Sequence, residues 1–242
     1  MLNKLVKRGL RHFSQPGRAL MVVGMHRSGT SFLTGSLQEA GLELGEHSSW
    51  NPHNLKGNRE NQSIVALHDA ILLRHGYAWD NPPEQSLDWS SDETRKARQI
   101  IRQYRGVSHW GFKDPRALLL VDTWRSLLPN LQFIGIFRHP AAVARSLDAR
   151  GGMHEDMAYR LWRIYNQHLL RLHDQVAFPL LCFDQDESEL HEKLDCEIAR
   201  LGLAVPAGER FFSAELKHHS VKEAPLPTQL DAMYRKLLSL AL

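Results

Sequence analysis

The chain has 242 residues, 43% of them hydrophobic, enough for one domain with a sizeable core. Its 30 basic and 27 acidic side chains leave a net charge of only +3, which gives no bias towards nucleic acid, and no apolar run is long enough to cross a bilayer. Two cysteines, Cys182 and Cys196, make neither a CxxC pair nor a disulfide framework and suit a reducing, cytoplasmic setting; fourteen histidines without an HExxH pattern, His218-His219 among them, predict no metal site.

Residues 1–18 read as a basic N-terminal leader or helix, and residues 19–242 as one domain. Met1 to Phe13 carry basic and apolar residues at helical spacing and no acid, and they lack the apolar core of a secretory signal. A frayed leader, a helix packed on the domain and a weak anchor to acidic lipid headgroups all fit that pattern. A strand over 20–24 then runs into Gly24-Met25-His26-Arg27-Ser28-Gly29-Thr30-Ser31 and a helix over 29–40. This order gathers backbone N–H groups, a helix N-terminus, hydroxyls and a guanidinium around one point, a device for binding phosphate or sulfate. Gly24 and Gly29 have P-loop spacing, yet Thr30 stands where a nucleotide triphosphatase needs lysine, and the cation has moved back to Arg27.

A loop over 43–56 precedes helical periodicity from Glu60 through Ile64, Leu67, Ile71 and Leu72, ending at His75-Gly76. Glu60 is read at the start of that helix, where it is either a partner of the helix dipole or a general base. Residues 79–89 are irregular, and Ser91 with Glu93 opens a charged helix up to about Gly106. In His109-Trp110-Gly111-Phe112-Lys113-Asp114-Pro115-Arg116 the proline stops a strand, leaving Lys113 and Asp114 at the carboxyl edge of a sheet, where open α/β folds bind ligands. A salt-bridged turn between Asp114 and Arg116 is the plainer alternative. A helix over 117–127 leads to a strand ending in Arg138, and His139-Pro140 opens a helix that carries Ser146. One cation at a strand end and one hydroxyl on the next helix can pinch a phosphate; a solvated arginine and an ordinary helix serine would look the same. A long amphipathic helix over 154–174, a strand over 176–184 and a helix over 187–201 follow, and the strand ending in Asp184 also has a Walker-B pattern. The alternation predicts an α/β fold of three layers, a mostly parallel sheet with helices on both faces.

Arg27-Ser28-Gly29-Thr30-Ser31 resembles the 5′-phosphosulfate loop of the sulfotransferases that use 3′-phosphoadenosine 5′-phosphosulfate (PAPS), and Gly-Met-His-Arg-Ser-Gly-Thr-Ser is similar to the bacterial branch of that family. The resemblance runs over most of residues 20 to 185. It implies a P-loop-like α/β fold, PAPS as co-substrate and PAP as product. It further implies that His26, Arg27, Ser28, Gly29, Thr30 and Ser31 hold the 5′ end of the nucleotide and that Arg138 and Ser146 hold its 3′-phosphate. Lys-Asp-Pro-Arg recurs in the bacterial members, which gives Lys113 and Asp114 a catalytic place. Arg27 would neutralise the leaving phosphate. Carbohydrate and tyrosyl sulfotransferases use a glutamate in a broadly similar place to Glu60 as base, whereas the histidine of the small-molecule enzymes falls on Pro115 here; Asp114 and His26 are the reserves.

Loops 43–59 and 77–90, with Trp50, Trp79, Trp89, Asn51, Asn54 and Asn81, are expected to build the acceptor pocket for an oligosaccharide or glycolipid, with a tyrosyl peptide or a small phenol as alternatives. The sequence leaves the oligomeric state open. A P-loop kinase and a non-catalytic nucleotide-binding module are the competing classes.

Overall fold

The computed structural model describes residues 17–47, 57–207 and 225–242. Residues 1–16 of the basic leader, Trp50, Asn51, Asn54 and His218-His219 lie outside the described residues.

Four strands form one parallel sheet in the order β2-β1-β3-β4: β1 Arg18–Val23, β2 His109–Lys113, β3 Gln132–Phe137 and β4 Leu180–Cys182. The helices are α1 Thr30–Glu39, α2 Gln62–Arg74, α3 Ser91–Gln103, α4 Val121–Leu127, α5 Pro140–Gly151, α6 Glu155–Gln175, α7 Glu187–Arg200 and α8 Thr228–Leu240, with a 3-10 helix at Pro115–Leu120. Because side chains alternate across a strand, β1 feeds two separate cores. Leu20 and Val22 join Leu33 and Leu37 of α1 and Leu190 and Leu194 of α7, while Met21 and Val23 pack with α2, α6 and α8 through Ile71, Trp162 and Leu237. The expected three-layer α/β class is therefore the observed one.

Several boundaries differ for physical reasons. The last strand is three residues rather than nine, since Pro179 has no N–H to extend the ladder, although its carbonyl still accepts from Gly135 at 2.8 Å. The outer edge of β4 is met by the chain end, where the Leu242 N–H donates to the Leu180 carbonyl at 3.0 Å. Helix α8 has no counterpart in the sequence reading. It buries Leu230 and Leu237 and lays Tyr234 against Phe137 and His139.

Central β1 has a neighbour on each side, so its outgoing loop runs between two other strand ends. Gly24 is needed for that passage: a Cβ there would lie 2.3 Å from the Ile136 carbonyl oxygen. Gly29 has φ 90 and faces the Phe183 ring, which a Cβ would meet at 2.3 Å. Gly24→Ala is expected to cost about 1–3 kcal/mol in urea unfolding, the usual range for forcing a methyl into packed structure. Gly151→Ala, at the end of α5 with nothing within 4 Å of the added methyl, should be neutral or stabilising by up to about 1 kcal/mol.

Candidate active site

The strand order brings four polar strand ends together: the Gly24–Gly29 loop after β1, Lys113 at the end of β2, Arg138 after β3 and Asp184 shortly after β4. On the β3 side, Arg27 sits in the left-handed region at φ 65 and its Nε donates to Ser146 Oγ of α5 at 2.8 Å. That contact joins the two sequence motifs across 119 residues. Arg138 is buried and reaches elsewhere, with Nε 3.2 Å from Asp184 Oδ1 and its guanidinium 5.1 Å from the centre of the Phe183 ring. The hydroxyl of Ser146 thus meets Arg27, and Arg138 meets Asp184. Asp184 Oδ2 also accepts the His139 N–H at 2.6 Å, so both oxygens of the Walker-B-like carboxylate are engaged by protein.

Burial, then the charges of Arg150 and Arg138, lowers the pKa of Arg27 from its ordinary value, a sign of three guanidiniums crowded at one edge. In the same loop the Ser28 hydroxyl is fully buried with no hydrogen-bond partner among the described residues. A concentration of positive charge with an unsatisfied hydroxyl fits a ligand carrying several anionic oxygens, as PAPS does. Gly29, Thr30 and Ser31 complete the loop: Gly29 is the N-cap of α1, Thr30 its buried first residue, and Ser31 turns its hydroxyl towards the β2 side.

On that side Lys113, only 2% exposed, places Nζ 2.8 Å from Glu60 Oε1 and 3.4 Å from Ser31 Oγ. The sequence reading of Glu60 needs correction here. Helix α2 begins at Gln62 with Asn61 as its N-cap, so Glu60 stands just before the first turn and not within it. Asn61 Oδ1 accepts from the N–H groups of Ser63 and Ile64, while its Nδ2 donates to the Tyr104 hydroxyl at 3.0 Å. Arg59, at φ 60, hydrogen-bonds Gln38 of α1. These ties hold Glu60 at the mouth of the site.

Asp114, expected beside Lys113 as a catalytic group, is fully buried and turned into a cluster behind it. Oδ1 accepts from Arg116 Nε at 2.8 Å and from the Arg116 N–H at 3.1 Å, and Oδ2 accepts His68 Nδ1–H at 2.7 Å. Trp124 Nε1–H donates to His68 Nε2 at 2.8 Å, which leaves the ring proton on Nδ1. Burial alone would raise the Asp114 pKa, but His68 and Arg116 outweigh it and hold the carboxyl well below its usual range. Sequence reasoning missed His68, Asp69, Trp124 and Arg150. For His68 a signal existed, because it lies on the same stripe of α2 as Ile64, Leu67 and Ile71.

His26 is half-buried, its ring 5.0 Å from Trp79 and 5.6 Å edge-on from Tyr165, whose hydroxyl donates to the Trp79 carbonyl at 3.0 Å. Burial, then Arg116, pushes its pKa down to about 3, so at neutral pH the imidazole is uncharged and a weak base. Trp89 packs 5.5 Å from Trp124 against the core, while Asn81 is exposed. Below the ordinary histidine value of 6.5 the unfolded chain takes up a proton at His26 that the folded chain refuses until about 3. Stability is therefore full above 6.5 and falls as pH drops from there towards about 3, steepened by the half-buried His139 and the buried His168, whose pKa values are also lowered mainly by burial. Urea unfolding from pH 7 to 4 should show this decline, and His26→Gln should flatten it by about one proton's worth of slope.

Among solved structures, the fold is similar to the sulfotransferase domain of the Synechococcus PCC 7002 olefin synthase, with TM-score 0.56 and 17% identity over 95% of this chain and 96% of that one. It is similar also to the sulfotransferase domain from the curacin biosynthetic pathway (TM-score 0.51, 15% identity, 93% and 98% covered) and to a sulfotransferase from Alicyclobacillus acidocaldarius (0.52, 14%, 92% and 93%). No curated protein matches the sequence. The family model described as the sulfotransferase family matches residues 19–183, which run from β1 to just past β4 and include Arg27, Glu60, Lys113, Arg138 and Ser146, and the chain belongs to that family.

Proposed function

We propose that the protein moves a sulfuryl group from PAPS to a hydroxyl or amine acceptor, with Glu60 as general base. The observation that carries this reading is the 2.8 Å contact between Arg27 and Ser146, which merges the loop and the α5 hydroxyl into one cationic pocket with Arg138 and Arg150 at its margin. PAPS would supply an activated sulfonate whose sulfur–oxygen bond to the 5′-phosphate breaks as the acceptor oxygen or nitrogen bonds to sulfur. Arg27 neutralises charge on the departing phosphate, and its fork holds two oxygens without giving up a proton. Glu60 takes the acceptor proton, and Lys113 ties that carboxylate to Ser31 of the loop, fixing the distance between base and donor. Trp79, partly exposed beside His26, supplies an indole face next to the loop, which suits a sugar ring and supports an oligosaccharide or glycolipid acceptor. Cys182 and Cys196 are both free, in keeping with a cytoplasmic setting, and among the described residues no helix is long and apolar enough to cross a membrane.

Calorimetry with PAP, ATP and GTP side by side tests the donor. PAP is expected to bind most tightly, and Arg138→Ala should weaken PAP strongly while sparing adenosine 5′-phosphosulfate, which lacks the 3′-phosphate. Equal affinity for ATP would favour a kinase and overturn the reading. For the chemical step, Arg27→Ala should raise the barrier by on the order of 3 kcal/mol or more. Glu60→Gln should slow transfer by about 10²–10⁴ with PAP affinity kept, measured as sulfur-35 transfer from labelled PAPS in an acceptor panel. A parental rate in Glu60→Gln would remove the base assignment.

A further inference from the structure

The Arg116 guanidinium divides itself among three carboxylates. Its Nε lies 2.8 Å from Asp114 Oδ1, its Nη1 2.7 Å from Asp69 Oδ1, and its Nη2 stands back at 3.8 Å from Glu60 Oε2. The first two contacts are full hydrogen bonds and the third is not. A guanidinium that is 9% exposed, next to a carboxylate that is 13% exposed, would ordinarily close into a forked pair. It does not, and its Nε and Nη1 are hydrogen-bonded to Asp114 and Asp69 instead. Asp114 is itself fixed by His68, and His68 by Trp124.

We propose that Asp114 and Asp69 are positioning residues that hold Arg116 off Glu60 and so keep the Glu60 carboxylate basic enough to take the acceptor proton. This inference rests on Glu60 being the base. One close cation is already present in Lys113, and it also links Glu60 to the loop. A second cation in full contact would make the carboxylate a poorer proton acceptor, so the network limits Arg116 to orienting Glu60 at a distance. Among the described residues, the charged and titratable groups of this cluster are Lys113 from β2, Asp114 and Arg116 at the 3-10 helix, Asp69 and His68 from α2, His26 from the loop after β1 and the adjoining Arg59. Among them Arg116 is the group whose distance to Glu60 is set by competing carboxylates.

The test reads Glu60 directly. In the full chain labelled with carbon-13 glutamate, the Glu60 carboxyl signal is assigned by its loss in Glu60→Gln and titrated with pH. Asp69→Asn should move its midpoint down by about half a unit or more, Asp114→Asn by about one unit, and Arg116→Gln should move it up. Asp69 is half-exposed, so its variant keeps the test alive where Asp114→Asn fails to fold. In the Arg116→Gln background the effect of Asp69→Asn should shrink to the small direct influence of one carboxylate on another, because most of it acts through the guanidinium. A midpoint unmoved by Asp69→Asn and Arg116→Gln, or an Asp69 effect that persists undiminished without Arg116, would overturn the proposal. Slow transfer by Glu60→Gln beside an unmoved midpoint sinks this inference alone, whereas a parental rate in Glu60→Gln sinks the base assignment on which it rests.

Discussion

The structure is organised by the cost of burying Lys113. An ammonium that is 2% exposed is tolerable only with close partners, because an unpaired charge in a packed interior loses several kcal/mol of hydration. Glu60 is the ionic partner, and it arrives from 53 residues away, so the chain between must fold to deliver it. Asn61 caps α2 immediately behind it, Tyr104 of the α3 end holds Asn61, and the Tyr104 hydroxyl donates to the Leu44 carbonyl at 2.9 Å. Satisfying one buried cation thereby fixes the approach of α2, the end of α3 and the turn after α1. The same segment brings His68 and Asp69 over β2, where Asp114 and Arg116 need them.

What was legible in the sequence is what depends on short spacing. Gly24 and Gly29 could be read as a loop because close approach and left-handed φ demand glycine within a few residues, and the start of α5 after Arg138 could be read because Pro140 sets it. Parallel strands and two-sided helices followed from alternation. The partners were not legible. Arg27 to Ser146 and Lys113 to Glu60 are contacts of the fold, and no local periodicity encodes them. Glu60 was put inside α2 because Ile64, Leu67 and Ile71 define the helix face but not its first residue, whereas the side chain of Asn61 does. Asp114 was drawn towards the site by its place in Lys-Asp-Pro-Arg. A β-conformation at φ −150 followed by Pro115 turns its side chain instead to cap the 3-10 helix and face His68.

In-line transfer requires the leaving oxygen and the acceptor to stand on opposite sides of the moving group. The order β2-β1-β3-β4 supplies two such sides, since the loop after β1 has the β3 end on one flank and the β2 end on the other. On the β3 flank positive charge dominates, through Arg27, Arg138 and Arg150, with Asp184 offsetting part of it. On the β2 flank two cations, Lys113 and Arg116, face three carboxylates, Glu60, Asp114 and Asp69. On the proposed reading, an anionic nucleotide is drawn to the first flank and repelled from the second, which leaves the second for the neutral acceptor and its proton. Ser31 belongs to the loop yet touches Lys113, so on that reading one residue of the phosphosulfate cradle also registers the proposed base against it. The polarity of the proposed reaction would then come from which strand lies on each side of β1, and the chemistry of each flank from the residue at which that strand stops.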